Sequence, residues 1–211
     1  MPTVFNYIIL GFILLGASAT EAQQEKKAEF SIDMFSGATS IVTGLSLDNS
    51  GKYQYHYTPT FGFAGDLGYS ITSKLFAHAS LGYLQRGAEF DGAGFPEGSR
   101  YRLYYIDLWG YLEYASGNQT KFTFLAGLSQ STLVAAKLTS TAGSINAMND
   151  FNKIDVGFVA GPGILLPTNK NKIRLRFIFS YGFRDAFAEG HFNDDIKAHN
   201  HAYLVQVGYI F

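Results

Sequence analysis

Cysteine is absent from the 211 residues, which excludes a disulfide framework and a lipoprotein anchor, so an exported domain must be held by its own fold. Charge is sparse. Asp, Glu, Lys and Arg make up 16% of the chain and the net charge is −1, leaving no electrostatic footprint for nucleic acid. Long apolar runs are missing as well: no window after residue 20 is apolar and long enough for a transmembrane helix. There is no internal repeat at a fixed period and no low-complexity linker. A helical membrane protein, a disulfide-stapled module and a nucleic-acid binder are thereby set aside.

What is present is glycine and aromatics, with Gly 23, Tyr 14 and Phe 19, a composition unlike a helical bundle or a disordered chain. At the amino terminus an apolar run, 7–17, leads into Ala17-Ser18-Ala19 and a polar segment. That reads as a signal peptide, 1–19, with cleavage after Ala19 or after Ala22; the run is too short for a spanning anchor. It lacks the usual Lys or Arg ahead of the run. The remainder, 20–211, has the length of one domain.

Period-two alternation organises that remainder. In 60–71, Phe61, Phe63, Leu67, Tyr69 and Ile71 alternate with Thr60, Gly62, Ala64, Asp66, Gly68 and Ser70. Similar strands are expected at 29–36, 75–86, 101–114, 121–133, 154–166, 173–184 and 201–211, most close to the roughly 9–11 residues of a tilted membrane strand. That makes eight. Short polar connections, 72–74, 115–120 and 167–172, alternate with longer ones, 37–57, 87–100, 134–153 and 185–200. The expected fold is all-β: an eight-stranded antiparallel up-and-down transmembrane barrel, with periplasmic turns, extracellular loops and both termini in the periplasm. The chain ends inside a strand, on Phe211. An aromatic last residue is common in Gram-negative outer-membrane barrels, so the likeness implies recognition by the barrel-assembly machinery.

With the apolar parity turned to lipid, Asp33, Asp66, His78, Arg86, Asp107, Glu113, Asp155, Arg174, Arg176, Arg184 and Gln206 point inward. An eight-stranded lumen is just wide enough for side chains to fill, so these groups are expected to pair across it and block conduction. Tyr69, Tyr83, Tyr114, Phe122, Tyr181 and Tyr209 fall where girdle residues belong. Trp109 shares parity with Asp107 and Glu113 and stays unplaced. Pro162 is expected to mark a bulge on the lipid-facing parity. The opposite assignment, a periplasmic lipocalin-like lipid-binding barrel, turns the greasy face inward.

Chemistry is thinly signposted. The segment 189–201 gathers His191, His199 and His201 with Glu189, Asp194 and Asp195, donors suited to calcium or a transition ion. Their spacing fits neither a calcium-loop nor a zinc motif, and the segment reads as a solvated loop. For a lipid-A-modifying hydrolase, His199 or His201 would be the base and Ser99, Ser131 or Ser140 the nucleophile. Nothing in the spacing brings them together. No catalytic, cofactor-binding or metal residue is assigned, and no enzyme activity or cofactor is expected.

Four stretches carry a resemblance: Leu81-Gly82-Tyr83-Leu84-Gln85-Arg86-Gly87-Ala88; Tyr105-Ile106-Asp107-Leu108-Trp109-Gly110-Tyr111-Leu112-Glu113-Tyr114; 155–163; and Ser180-Tyr181-Gly182-Phe183. In order and spacing the chain resembles the PorT-like family of outer-membrane barrels, departing from it at Trp109, where the family usually has proline, and at Glu113, where it often has lysine. The resemblance implies an outer-membrane location without known catalysis and, in one branch, a link to protein secretion. Outer-membrane lipid, lipopolysaccharide and envelope or secretion proteins are the implied partners.

Overall fold

Period-two alternation becomes long strands in the computed structural model, which describes residues 28–43, 53–92, 98–188 and 198–211. The expected signal peptide and residues 189–197 of the histidine segment lie outside them. The strands are β1 (Ala28–Thr43), β2 (Tyr53–His56), β3 (Thr58–Ser70), β4 (Leu75–Gly92), β5 (Ser99–Ser116), β6 (Lys121–Ser140), β7 (Gly143–Asn146), β8 (Ile154–Pro167), β9 (Lys172–Gly182) and β10 (Ala198–Ile210). The one helical element among the described residues is a 3-10 turn, Met148–Asp150.

Eight of these strands form a closed antiparallel barrel, running β1-β3-β4-β5-β6-β8-β9-β10 and back to β1. Closure runs from Ser31↔Ile210 to Thr43↔Ala198, and the Phe211 N–H donates to the Phe30 carbonyl at 2.9 Å. The barrel wall therefore offers no backbone edge to its surroundings, as a membrane-spanning sheet requires. At the turn end, tight connections hold β3 to β4, β5 to β6 and β8 to β9; the Thr72 hydroxyl accepts from the Lys74 and Leu75 N–H groups, and Gly117 supplies φ +121°.

Two register breaks shape the loop end. Opposite Tyr104 and Tyr105, β6 carries Val134 as an extra residue, a bulge that switches its inward parity from Leu133 to Ala136. Between β2 and β3 the pairing with β4 lapses from residue 57 to 61. Side chains take over there: Thr60 Oγ1 donates to the Gln85 carbonyl, and Thr39 Oγ1, reaching from β1, accepts from the Gly87 N–H at 3.0 Å and donates to the Gly87 carbonyl at 3.1 Å. Because Thr39 is buried, Thr39→Val should strand both Gly87 groups and lower stability by about 1–3 kcal/mol, measured as an earlier denaturant midpoint. An unchanged midpoint would mean that the gap is filled some other way.

Parity is as expected for lipid outside. Phe30, Ile32, Met34, Phe61, Phe63, Leu81, Phe124, Phe177, Val205 and Tyr209 are exposed, whereas Asp33, Asp66, His78, Arg86, Asp107, Glu113, Asp155, Arg174, Arg176 and Gln206 are buried in the lumen. Arg184 is a correction. The chain leaves the wall after Gly182, so Arg184 is exposed at the loop end, with only its backbone N–H reaching Asp155, at 3.4 Å. Pro162 is a second: β8 pairs with β9 in one unbroken register on either side of it, Ala160↔Phe179 and Gly163↔Arg176. The missing N–H costs ladder bonds without producing a bulge. Trp109 faces inward, edge-on to Phe35 at 5.2 Å.

Candidate functional site

The lumen is built from the inward residues of every strand and is stratified along the barrel axis. Nearest the turn end is a charged layer. Asp66 and Glu113 flank His78, at 2.8 Å from Nδ1 and 3.2 Å from Nε2. The His78 ring stacks on Tyr111 with centroids 4.7 Å apart and planes 4° from parallel. Arg174 lies 3.2 Å from Asp66. Arg176 donates through Nε to Glu113 at 3.1 Å, approaches its other oxygen at 2.6 Å, and donates to the Tyr111 hydroxyl at 2.9 Å and Gln206 at 3.3 Å. Tyr111 in turn donates to Asp66 at 2.5 Å. Asp66, Glu113, His78, Arg174 and Arg176 thus each meet an opposite charge within a hydrogen-bonded set, the condition under which burial is tolerated.

Inward glycines make this possible. A Cβ at Gly68 would meet the His78 ring, at Gly163 the Arg176 side chain, at Gly182 the Asp155 carboxylate and at Gly208 that of Asp33. Large polar groups fit a narrow barrel because the facing position on the next strand is empty.

Above the charged layer comes an apolar belt of Phe35, Ala64, Leu84, Trp109, Leu125, Val159, Ile178, Ala202 and Leu204. A second polar layer follows. Arg86 donates to Asp107 at 2.6 Å and to Ser131 at 3.0 Å and lies 5.0 Å over the Tyr105 ring; Asn200 donates to Asp155 at 3.1 Å and to Tyr105 at 3.4 Å. The mouth is capped by Ile41, Ala88, Phe90, Tyr101, Phe151, Ala186 and Phe187. The segment after the 3-10 turn is tied down through Asn152, whose amide donates to the carbonyls of Asp185 and Phe187 at 2.9 and 2.8 Å. With Arg184 outside, five lumen carboxylates (Asp33, Asp66, Asp107, Glu113 and Asp155) face three guanidiniums and one imidazole.

The residues considered for catalysis are kept apart. His199 and His201 stand on the outward parity of β10, His199 against Tyr181 at 5.4 Å and His201 2.5 Å from the Tyr57 hydroxyl. Ser99 and Ser131 are buried on the inward parity of β5 and β6, so the wall lies between base and nucleophile. Ser140 sits at the tip of β6, its hydroxyl accepting from the Ala142 N–H at 3.2 Å. Among the described residues no group of three or more His, Asp or Glu is placed to hold a metal; His191, Asp194 and Asp195 lie outside them. Sequence reasoning missed the aromatic cap, because Phe151 and Phe187 belong to segments expected as loops.

The family described as outer membrane protein beta-barrel domain matches residues 21–188. Among solved structures, the chain is similar to Ail, the attachment invasion locus protein of Yersinia pestis, with 16% identity, 88% of this chain and 99% of that chain covered and a TM-score of 0.44. It is similar to Neisserial surface protein A with 14% identity, 86% and 97% coverage and a TM-score of 0.49, and to the N-terminal β-barrel domain of Pseudomonas aeruginosa OprF with 12% identity, 89% and 100% coverage and a TM-score of 0.38. No curated protein matches it.

Proposed function

The chain belongs to the outer membrane protein beta-barrel domain family, and from that premise we propose that it is a non-conducting, non-catalytic outer-membrane barrel of PorT-like type, whose loop end engages envelope or secretion proteins. The observation that carries this reading is the filled lumen, in which two polar layers and two apolar layers succeed one another between the turns and the mouth. An eight-stranded wall has no room for a water path once such side chains occupy it. In this reading the termini and turns face the periplasm, and the terminal strand with Tyr209 and Phe211 is presented to the barrel-assembly machinery. In this reading the wall is scaffold, and the loop end, where Tyr55 and Leu138 pack partly exposed over the aromatic cap, is what a partner meets.

Purified, heat-modifiable protein reconstituted into planar bilayers should show no steady ion conductance above the lipid baseline. Discrete channels scaling with protein concentration would overturn the reading and make the lumen a pore.

A further inference from the structure

We propose that Arg102 and Lys137, on the outward face of β5 and β6, bind the phosphate of a lipid headgroup in the surrounding leaflet; this rests on the membrane-barrel reading above. The two residues are direct cross-strand partners and both are exposed. Like charges placed directly opposite one another destabilise a sheet, and among the described residues neither is relieved by an ion pair. The neighbouring carboxylate, Glu89, is held by Arg100 at 2.7 Å. On the far side of Lys137, β7 places the amide of Asn146 opposite it, and the next pair on the same face is Thr139↔Ser144, with hydroxyls 3.4 Å apart. Two cations with an amide and two hydroxyls form a row of donors suited to phosphate oxygens.

Position along the wall decides what carries that phosphate. Below Arg102 the outward face of β5 continues with Tyr104, Ile106 and Leu108, and Tyr104 opens an aromatic ladder, stacking on Tyr83 at 6.2 Å, which stacks on Phe63 at 5.6 Å. At the cation row the polarity of the wall reverses. Outward positions become Glu89, Arg100, Arg102, Lys137 and Thr139, while the inward ones become Ala88, Phe90, Tyr101, Leu103 and Ala136. A wall that is apolar outside leaves the hydrocarbon where this pattern inverts, and aromatic rings mark the boundary. The cations therefore sit at headgroup height immediately above a ladder over which acyl chains run, which selects a lipid phosphate over a free anion.

The test is native mass spectrometry of the detergent-purified full chain with lipid A, with dephosphorylated lipid A, and with lipid A plus excess inorganic phosphate. Wild type should retain lipid A in preference to the dephosphorylated form, and inorganic phosphate should not displace it. The exposed double variant Arg102→Gln, Lys137→Gln should lose about tenfold or more in affinity, as the loss of two charge-assisted contacts requires, while keeping its compact unboiled band. Equal retention by the double variant, or equal retention of the dephosphorylated lipid by wild type, would overturn the site. Complete displacement by inorganic phosphate would overturn the lipid assignment. A wild-type protein without a compact unboiled band would instead sink the membrane-barrel reading, a failure read on a separate gel.

Discussion

Replacing Arg176 by methionine is expected to cost about 3–5 kcal/mol of barrel stability, the range for removing one partner of a buried ion pair. Arg176 is buried and joins Glu113 and Tyr111 of β5 and Gln206 of β10, two other strands, so its loss leaves the Glu113 carboxylate in the lumen with His78 as its one remaining ion-pair partner among the described residues. The cost belongs to that uncompensated charge, and it should be relieved from the other side. Glu113→Gln added to Arg176→Met removes one acid and one base together, and the amide oxygen can still accept from His78, so the double variant should regain most of the loss. The readout is the denaturant or temperature midpoint at which the compact unboiled band disappears. A double variant as unstable as Arg176→Met alone would show that packing of the guanidinium over the Tyr111 ring, 5.1 Å away, matters more than charge balance.

How far the sequence reveals this molecule depends on where the wall meets lipid. Within the hydrocarbon the outward residues must be apolar, so wherever the inward positions are charged, as around Asp66, Asp107 and Arg176, the alternation reports both the strands and their facing. Beyond it the signal reverses. β4 runs on to Gly92 with Glu89 outward and Ala88 and Phe90 inward, which looks like loop to a reading that seeks a greasy outer face. The extra residue Val134 breaks the period of β6, hiding its last residues, through Ser140, and the lapse in pairing before β3 hides β2 in the same way. Parity alone places Arg184 inward, since it cannot show that the strand has ended at Gly182. Trp109 is explained only across the lumen, where Phe35 of β1, a strand that does not pair with β5, meets the indole edge-on within the apolar belt. The ion pairs themselves were legible as a set and not as pairs, since Arg176 and Glu113 are 63 residues apart and meet only through the curvature of the closed sheet.

Phe177→Arg tests most directly which face meets lipid. Phe177 lies near the middle of β9, outward and about half exposed, with its cross-strand partner Val205 equally open. In a bilayer a guanidinium at this depth should cost about 2–4 kcal/mol. On the surface of a water-soluble barrel the same change should stay within about 0.5 kcal/mol. Phe183 is an internal control for depth: it is 52% exposed but lies just beyond the end of β9, where Arg should cost about 0–1 kcal/mol by the same depth dependence. Both variants would be unfolded with denaturant from phospholipid vesicles and their midpoints compared with wild type. A large shift for Phe177→Arg beside a small one for Phe183→Arg maps the hydrocarbon onto the wall at the level the aromatic ladder marks. Equal and negligible shifts would mean that the outward apolar band is not in lipid, and that some other surface, a partner protein or a second barrel, covers it.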